Sequence, residues 1–393
     1  MSTDEQFLRR ALDLAREGIG LASPNPHVGA VIVDAQGNIA GTGMYTYAGV
    51  KHAEVLALEA AGSKARGGTL YINLEPHAHQ GRTPPCTDAL IAAGIRRVVA
   101  SMPDPNPKVS GLGFEKLRAA GVQVDVGQME EPARRLNESF ARYIRHGVPL
   151  VTLKSAMTLD GKIAPPPAQT RNHAADTTSG FTGHWITGEL ARAHAHELRH
   201  QHDAILVGIG TILADNPLLT DRSGRFRRRP LLRVILDSHL RLPLDSQLVR
   251  GAKSGAANAS DDNSVLVFTS SWDAKNDTKK KNELESHGVR IETLPAAPPN
   301  GRPDLAAVLR RLGKLEITSV MIEGGSTVNG AALATGVVDK IFLYYAPEIL
   351  GATGAVPFAP DAAFQEIKAT VKNLHRFGED FAVEGYLRDP YGE

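Results

Sequence analysis

The chain has 393 residues, 44 Lys+Arg against 43 Asp+Glu, and one cysteine. At roughly 100–200 residues per domain this length predicts two or three domains, and a composition of 42% hydrophobic and 22% charged residues excludes collagen-like, coiled-coil and wholly disordered chains. A formal net charge of +1 gives no global pull on nucleic acid or an anionic membrane, and the lone Cys86 excludes an internal disulfide framework and predicts a reducing, cytoplasmic compartment.

Phe7, Leu8, Ala11, Leu12, Leu14 and Ala15 recur at helical spacing, so the chain opens on an amphipathic helix, ended by Gly18 and Gly20. Its charged start lacks the layout of a signal peptide, and no stretch approaches the ~20 apolar residues of a membrane span. VGAVIVD (28–34) and GNIAGTGMYTY (37–47) predict strands, HAEVLALEAAG (52–62) a helix and TLYINLEP (69–76) a strand. A polar loop follows, then helix TDALIAAG (87–94), strand RRVVASMPDP (96–105), helix FEKLRAAG (114–121), strand VQVDVG (122–127) and helix EPARRLNESFARYIRHG (131–147). This βαβ rhythm predicts an α/β sandwich rich in parallel strands. The domain boundary is placed at 147–149, before Pro149.

The second half predicts strands at 151–157, 203–210, 231–237, 264–270, 319–325 and 340–348, with helices at 188–201, 303–313 and 326–336. It is a second α/β sheet domain with a strand-rich end. Segments 164–180, 251–263 and 272–283 are polar and rich in Gly, Pro, Ser, Asn or Lys, as surface insertions are.

The chemistry-bearing residues of the first half are His52, Glu54, His77 and Cys86. HAE (52–54) opens a helix, and EPHAHQGRTPPC (75–86) leads from a strand into the next helix. Two helix N-termini can thus converge, and their partial positive charge favours a thiolate. Two imidazoles and one thiolate hold zinc and leave a fourth tetrahedral position open for water. Glu54, two residues past His52, can face that water and shuttle its proton to a leaving amine. The pattern resembles the zinc nucleobase deaminase signature H-x-E…P-C-x-x-C, with wider spacing and with His77 in place of the first cysteine. The alternative is a domain that has kept its fold and lost its metal.

NPHVGAVIVD, HAEVLALEAAG, NLEPHAHQGRTPPC and DPNPKVSGLG, with LKSAMTLDGKIA, HWITGELARAHAHELRHQHDAILVGIGTILADNPLLTDR and EGGSTVNG downstream, closely resemble the bifunctional riboflavin-biosynthesis deaminase–reductase family. The match runs in order over nearly the whole chain, apart from the insertions. The resemblance implies a cytidine-deaminase-like three-layer sandwich over 1–147 and a dihydrofolate-reductase-like domain over 148–393. It implies zinc-dependent hydrolytic deamination of 2,5-diamino-6-ribosylamino-4(3H)-pyrimidinone 5′-phosphate, then NADPH-dependent reduction of the ribosyl group to a ribityl chain. His52, His77 and Cys86 match the zinc positions and Glu54 the proton shuttle, while Asn25, His79 and Arg82 match substrate positions. Met157, Trp185, Thr211, Asp215, Gly325 and Ser326 match the NADPH side, and Arg199, Leu219, Arg222 and Glu323 the substrate side of the reductase. A homodimer is implied in the same way. Tyr45 stands for a histidine, His77 for a cysteine and Gly183 for a serine of the family pattern.

In the second half, the strand–glycine turn–helix run MIEGGSTVNGAALATG (321–336) suits a dinucleotide phosphate, with Ser326 able to cap the helix. Hydride transfer needs the acceptor held close and a proton delivered to it; Lys154 and Asp215 are the candidate proton donors. The run HELRH (196–200) also fits the zinc-peptidase pattern H-E-x-x-H, but no downstream glutamate or histidine extension follows it. RFRRRP (225–230) and KKK (279–281) read as solvated charge rather than a nucleic-acid-binding face.

Overall fold

The computed structural model describes residues 2–81, 83–166, 185–253, 264–270, 274–297, 301–351, 353–360 and 366–392. The chain divides into two units, residues 1–147 with 226–229 and 393, and residues 148–225 with 230–392.

The first unit opens with α1 (Thr3–Glu17). Ser2 and Glu5 close a reciprocal capping box at its start, satisfying two otherwise orphaned N–H groups. Strands β1 (Gly29–Val33), β2 (Ile39–Met44), β3 (Thr69–Ile72), β4 (Arg97–Ala100) and β5 (Gln123–Val126) form one sheet in the order β2-β1-β3-β4-β5. β1 runs antiparallel to β2 and β3, and β3, β4 and β5 are mutually parallel. The period of two sorts the strand side chains onto two buried faces. Val31, Val33, Tyr71 and Val99 meet Leu8, Ala11 and Leu14 of α1. Ala30, Ile32, Leu70, Ile72, Val98 and Ala100 meet α2 (Ala53–Ala61), α3 (Cys86–Ala93) and α4 (Leu112–Ala119). The result is helix–sheet–helix, three layers deep.

Two glycines set how closely α2 approaches. A Cβ on Gly41 would lie 2.2 Å from the Ala57 carbonyl oxygen, and one on Gly43 would lie 2.1 Å from that of Ala53. Only a residue without a Cβ lets the helix backbone rest there. The run expected to be one helix over 131–147 is two, α5 (Glu130–Leu136) and α6 (Glu138–His146). Asn137, fully buried between them, accepts the His27 N–H at 2.8 Å and donates to the His27 carbonyl at 3.1 Å. Its side chain thus serves as a tertiary tie, and the helix breaks around it.

The second unit carries β6 (Leu150–Thr158), β7 (Lys162–Ala164), β8 (Ala204–Gly208), β9 (Leu232–Leu236), β10 (Val265–Thr269), β11 (Val289–Thr293), β12 (Ala296–Ala297), β13 (Arg302–Pro303), β14 (Ser319–Ile322), β15 (Lys340–Ala346), β16 (Val356–Pro357), β17 (Thr370–Phe377) and β18 (Asp380–Tyr386). Nine of these form a sheet in the order β11-β10-β9-β8-β14-β6-β15-β18-β17. The first seven of that order are parallel, and a terminal antiparallel hairpin, β17–β18, extends the edge. One face packs on helices Leu305–Lys314 and Ser326–Ala334, the other on Ile209–Asp215 and Gln247–Lys253. Helix Glu189–His200 lies over Met321, Phe342 and Tyr344.

Two expectations need correction. Residues 274–286, the greater part of which falls in a segment expected to be a polar surface insertion, form a helix. It is stabilised by Lys279–Glu283 and Lys281–Glu285 pairs one turn apart and anchored by fully buried Leu284. The cluster at 225–230 is not simply solvated. Arg228 donates its N–H to the Gly20 carbonyl at 2.8 Å and holds its guanidinium 4.1 Å from the Tyr47 ring centroid, while Arg229 bonds Ser23 Oγ at 3.1 Å. No helix among the described residues is long and apolar enough to cross a membrane.

Candidate active sites

In the first unit, His52 is the N-cap residue of α2, Glu54 lies in that helix's first turn, and Cys86 is the first residue of α3. The backbone N–H of Thr87 bonds the His77 carbonyl at 3.3 Å, closing the 77–87 loop onto α3. The ligand atoms of His52, His77 and Cys86 lie within 4.8 Å of one another, and they form the one such metal-competent group among the described residues. Cys86 Sγ is 3.2 Å from His52 Nδ1, close to the roughly 3.5 Å that tetrahedral zinc–sulfur and zinc–nitrogen bonds subtend. His52 Nε2 is oriented by Thr83 Oγ1 at 3.2 Å.

The donor set fits zinc. His77 Nδ1 is buried and finds no hydrogen-bond partner among the described residues, as expected of a lone pair kept for a metal. Burial holds the His52 ring below its ordinary value. Burial, with His52 and His79 nearby, holds His77 at about 4. Both imidazoles therefore offer lone pairs at neutral pH. Burial, reinforced by the adjacent Glu54 carboxylate, pushes the Cys86 thiol up, so thiolate formation is tied to arrival of a cation. Glu54 is almost fully buried beside the Cys86 side chain and is pushed up to about 7 by burial.

The surrounding residues divide into those the sequence named and those it did not. Asn25 Nδ2 donates to Tyr45 Oη at 2.5 Å, and the Tyr45 ring meets the His52 ring edge-on at 5.4 Å. The tyrosine departure thus sits directly between Asn25 and a metal ligand. His79 stacks edge-on against His77 with centroids 5.3 Å apart. Arg82 lies outside the described residues, as does Gly183. Glu75 and Asp104 carried no assigned role in the sequence. The Glu75 carboxylate accepts the backbone N–H groups of Asp104, Gly111 and Gly113 at 2.8–2.9 Å, and of Phe114 at 3.4 Å. Burial raises Asp104 to about 6, with Glu75 adding to the effect.

In the second unit, Glu323 follows β14 and is partly buried beside two cations. Arg199 on the helix Glu189–His200 grips it with Nε to Oε1 at 2.7 Å and Nη2 to Oε2 at 2.9 Å, a bidentate geometry. Lys154 Nζ on β6 stands 3.7 Å from Glu323 Oε2 and 5.7 Å from the Tyr344 ring centroid. Burial raises the Glu323 carboxyl, but Lys154 and Arg199 outweigh it and hold the group at about 2. Arg199 also bonds the Thr220 carbonyl at 3.1 Å, and Arg222 bonds Thr220 Oγ1 at 3.3 Å. Lys154, Arg199, Glu323 and Arg222 therefore come together around Thr220 and the end of β14. Leu219 is buried in the same loop with φ +52°.

Among the residues expected on the nicotinamide side, Met157 is buried on β6. Trp185 is exposed, with the Arg192 guanidinium 5.2 Å from its centroid. A Cβ built on Gly325 would lie 3.7 Å from Thr211 Oγ1, which places that glycine beside Thr211. Gly325, not Ser326, is the N-cap of the helix Ser326–Ala334, and Ser326 makes no side-chain cap. Its position one residue inside the helix replaces the expected capping role. Asp215 ends the helix Ile209–Asp215 and is exposed, whereas Lys154 is beside the partly buried Glu323. In the H-E-x-x-H run, His200 is buried with its Nδ1 2.8 Å from Asp221 Oδ2, and neither His196 nor His200 belongs to a metal-competent group of three or more ligands among the described residues, which removes the peptidase reading.

Residues 1–102 match the cytidine and deoxycytidylate deaminase zinc-binding region, and residues 149–383 match the RibD C-terminal domain. The chain is 40% identical over 381 residues to the riboflavin biosynthesis protein RibD of Aquifex aeolicus, covering 97% of each. It is 38% identical to that of Escherichia coli, covering 88% of this chain and 89% of the relative. Among solved structures, Acinetobacter baumannii RibD superposes with a TM-score of 0.79 at 33% identity. A diaminohydroxyphosphoribosylaminopyrimidine deaminase/5-amino-6-(5-phosphoribosylamino)uracil reductase from Thermotoga maritima gives 0.76 at 37%; both matches cover 98% of each chain.

Proposed function

The chain belongs to the RibD family of riboflavin biosynthesis, and on that premise we propose how its residues divide the work. It is a bifunctional enzyme with a cytidine-deaminase-like unit and a dihydrofolate-reductase-like unit, and its cofactors are zinc and NADPH. It deaminates 2,5-diamino-6-ribosylamino-4(3H)-pyrimidinone 5′-phosphate by hydrolysis and then reduces the ribosyl group to a ribityl chain.

Our reading assigns deamination to residues 1–147 and reduction to 148–393. His52, His77 and Cys86 hold the metal, which supplies a Lewis acid that makes water nucleophilic at neutral pH. Glu54 takes the proton of the attacking water and delivers it to the departing amine. A buried carboxyl at about 7 is matched to both directions of that transfer. Asn25, held by Tyr45, orients the pyrimidine, and the phosphate is assigned to His79 and Arg82. In the reductase, Arg222 meets the substrate phosphate. Arg199 fixes Glu323, and Lys154 is the proton donor favoured over Asp215, because it stands beside Glu323 while Asp215 is exposed. Met157, Trp185, Thr211, Asp215, Gly325 and Ser326 line the NADPH side. A cytoplasmic homodimer completes the proposal.

The observation carrying it is the convergence of His52, His77 and Cys86 within 4.8 Å beside Glu54. The test is incubation with the diaminopyrimidine phosphate, first without NADPH and then with it. One ammonia per substrate is expected before NADPH is added, and loss of nicotinamide absorbance only afterwards. Nicotinamide oxidation with no ammonia at any stage would leave a reductase alone.

A further inference from the structure

No step of either reaction uses the basic run RFRRRP (225–230). Residues 226–229 lie in the second half of the sequence, yet by contact they belong to the first unit. Arg227, Arg228 and Arg229 are partly buried, whereas arginines with no structural task stay in solvent.

What they touch is the turn that presents Asn25. The N–H groups of Leu21 and Ala22 bond the Gly18 carbonyl at 2.9 and 3.1 Å, and that of Asn25 bonds the Ala22 carbonyl at 3.1 Å. This turn is tied to residues 45–47 at two points. The Tyr47 N–H bonds the Leu21 carbonyl at 3.0 Å, and Tyr45 Oη accepts from Asn25 Nδ2 at 2.5 Å. The two arginines clamp the same pieces. The Arg228 N–H bonds the Gly20 carbonyl at 2.8 Å, its guanidinium lies 4.1 Å from the Tyr47 ring centroid, and Arg229 Nη2 donates to Ser23 Oγ at 3.1 Å. Ser23 is two residues before Asn25, and Tyr47 two after Tyr45. The clamp therefore acts on both members of the Asn25–Tyr45 pair.

We propose that Arg228 and Arg229 are positioning residues of the deaminase site, holding the 20–25 turn so that Asn25 meets the pyrimidine. The proposal rests on the deaminase reading of the first unit, and it makes that site depend on residues outside 1–147. His52, Glu54, His77 and Cys86 stand on other segments, so the clamp acts on substrate binding and leaves the chemical step alone.

The test uses the full chain with zinc and measures ammonia release from the diaminopyrimidine phosphate. Arg228→Met with Arg229→Met keeps much of each stem and removes both cations, while Arg228→Lys with Arg229→Lys returns a cation and a donor at each position. The methionine pair is expected to raise KM about five- to fiftyfold, the range of one cation–π contact and one hydrogen bond together. Its kcat, its zinc content and its reduction of pre-deaminated substrate should match wild type; a mere loss of folded protein would lower kcat and leave KM alone. The Asn25 and Tyr47 amides should exchange faster, and the lysine pair should recover part of the KM loss. Tyr47→Leu should raise KM as well, and Arg228→Met added to it should cost little more, because both remove one contact. An unaltered KM, a fall in kcat alone, an equal loss in reduction, or a lysine pair as impaired as the methionine pair would overturn the proposal. Wild-type protein that releases no ammonia would instead bring down the deaminase reading, and this proposal with it.

Discussion

Glu75→Gln tests how the metal-bearing loop is held. The Glu75 carboxylate spreads four backbone N–H contacts over two oxygens: Asp104 and Gly111 on Oε2, Gly113 and Phe114 on Oε1. Glutamine keeps one oxygen and turns an NH2 group towards the other pair of donors. Two buried amides then lose their acceptor, at about 1–3 kcal/mol each, for a total of about 2–6 kcal/mol. Because Glu75 is two residues before His77, the loss falls on the segment carrying His77 and His79. Hydrogen exchange on the intact chain reads it directly: amides between Asp104 and Phe114 should exchange at least about 25-fold faster. Ammonia release should fall, while reduction of pre-deaminated substrate should hold. Exchange within twofold of wild type across that segment would refute the reasoning.

Further outcomes follow from other groups. Glu54→Gln should lower ammonia release by about 10²–10⁴-fold, with zinc content and reduction of pre-deaminated substrate intact. His77→Cys should restore a two-thiolate site. The azo oxidant diamide would then take two electrons and two protons from the pair, form a disulfide and release zinc to a chromogenic chelator. Wild type, whose one cysteine is buried, should retain its zinc under the same treatment. Glu384 is raised by burial but held at about 2, from an ordinary 4.5, by Lys340, Asn373 and His375. Its folded value is depressed, so its contribution is present above about pH 4.5 and fades as pH falls towards 2. Glu384→Gln should therefore destabilise the protein by up to about 3 kcal/mol near pH 7, with the melting-temperature gap to wild type closing near pH 2.

Much of this architecture was legible because strand and helix periods alternate cleanly and are punctuated by glycine. The metal set was legible for a related reason. His52 and Cys86 each open a helix, and His77 sits in the polar loop between strand and helix. What escaped was set by distant partners. The 131–147 run has a continuous helical pattern, and only the His27 backbone, 110 residues away, explains the break at Asn137. Helix 274–286 is polar on nearly every face, so its composition resembles a loop; its pairs one turn apart and single buried leucine are a faint signal. Glu75 looked like any strand-end acid, because its amide partners lie 29–39 residues downstream. The H-E-x-x-H run lacks a further ligand in the sequence, and neither of its histidines belongs to a metal-competent group among the described residues.

X-ray absorption at the zinc edge of the purified chain tests the central claim most directly. One zinc per chain is expected, with a single sulfur at about 2.3 Å and nitrogen or oxygen neighbours at about 2.0–2.1 Å, of which two are imidazoles. A zinc shell with no sulfur, or protein that retains no zinc after dialysis, would contradict the account.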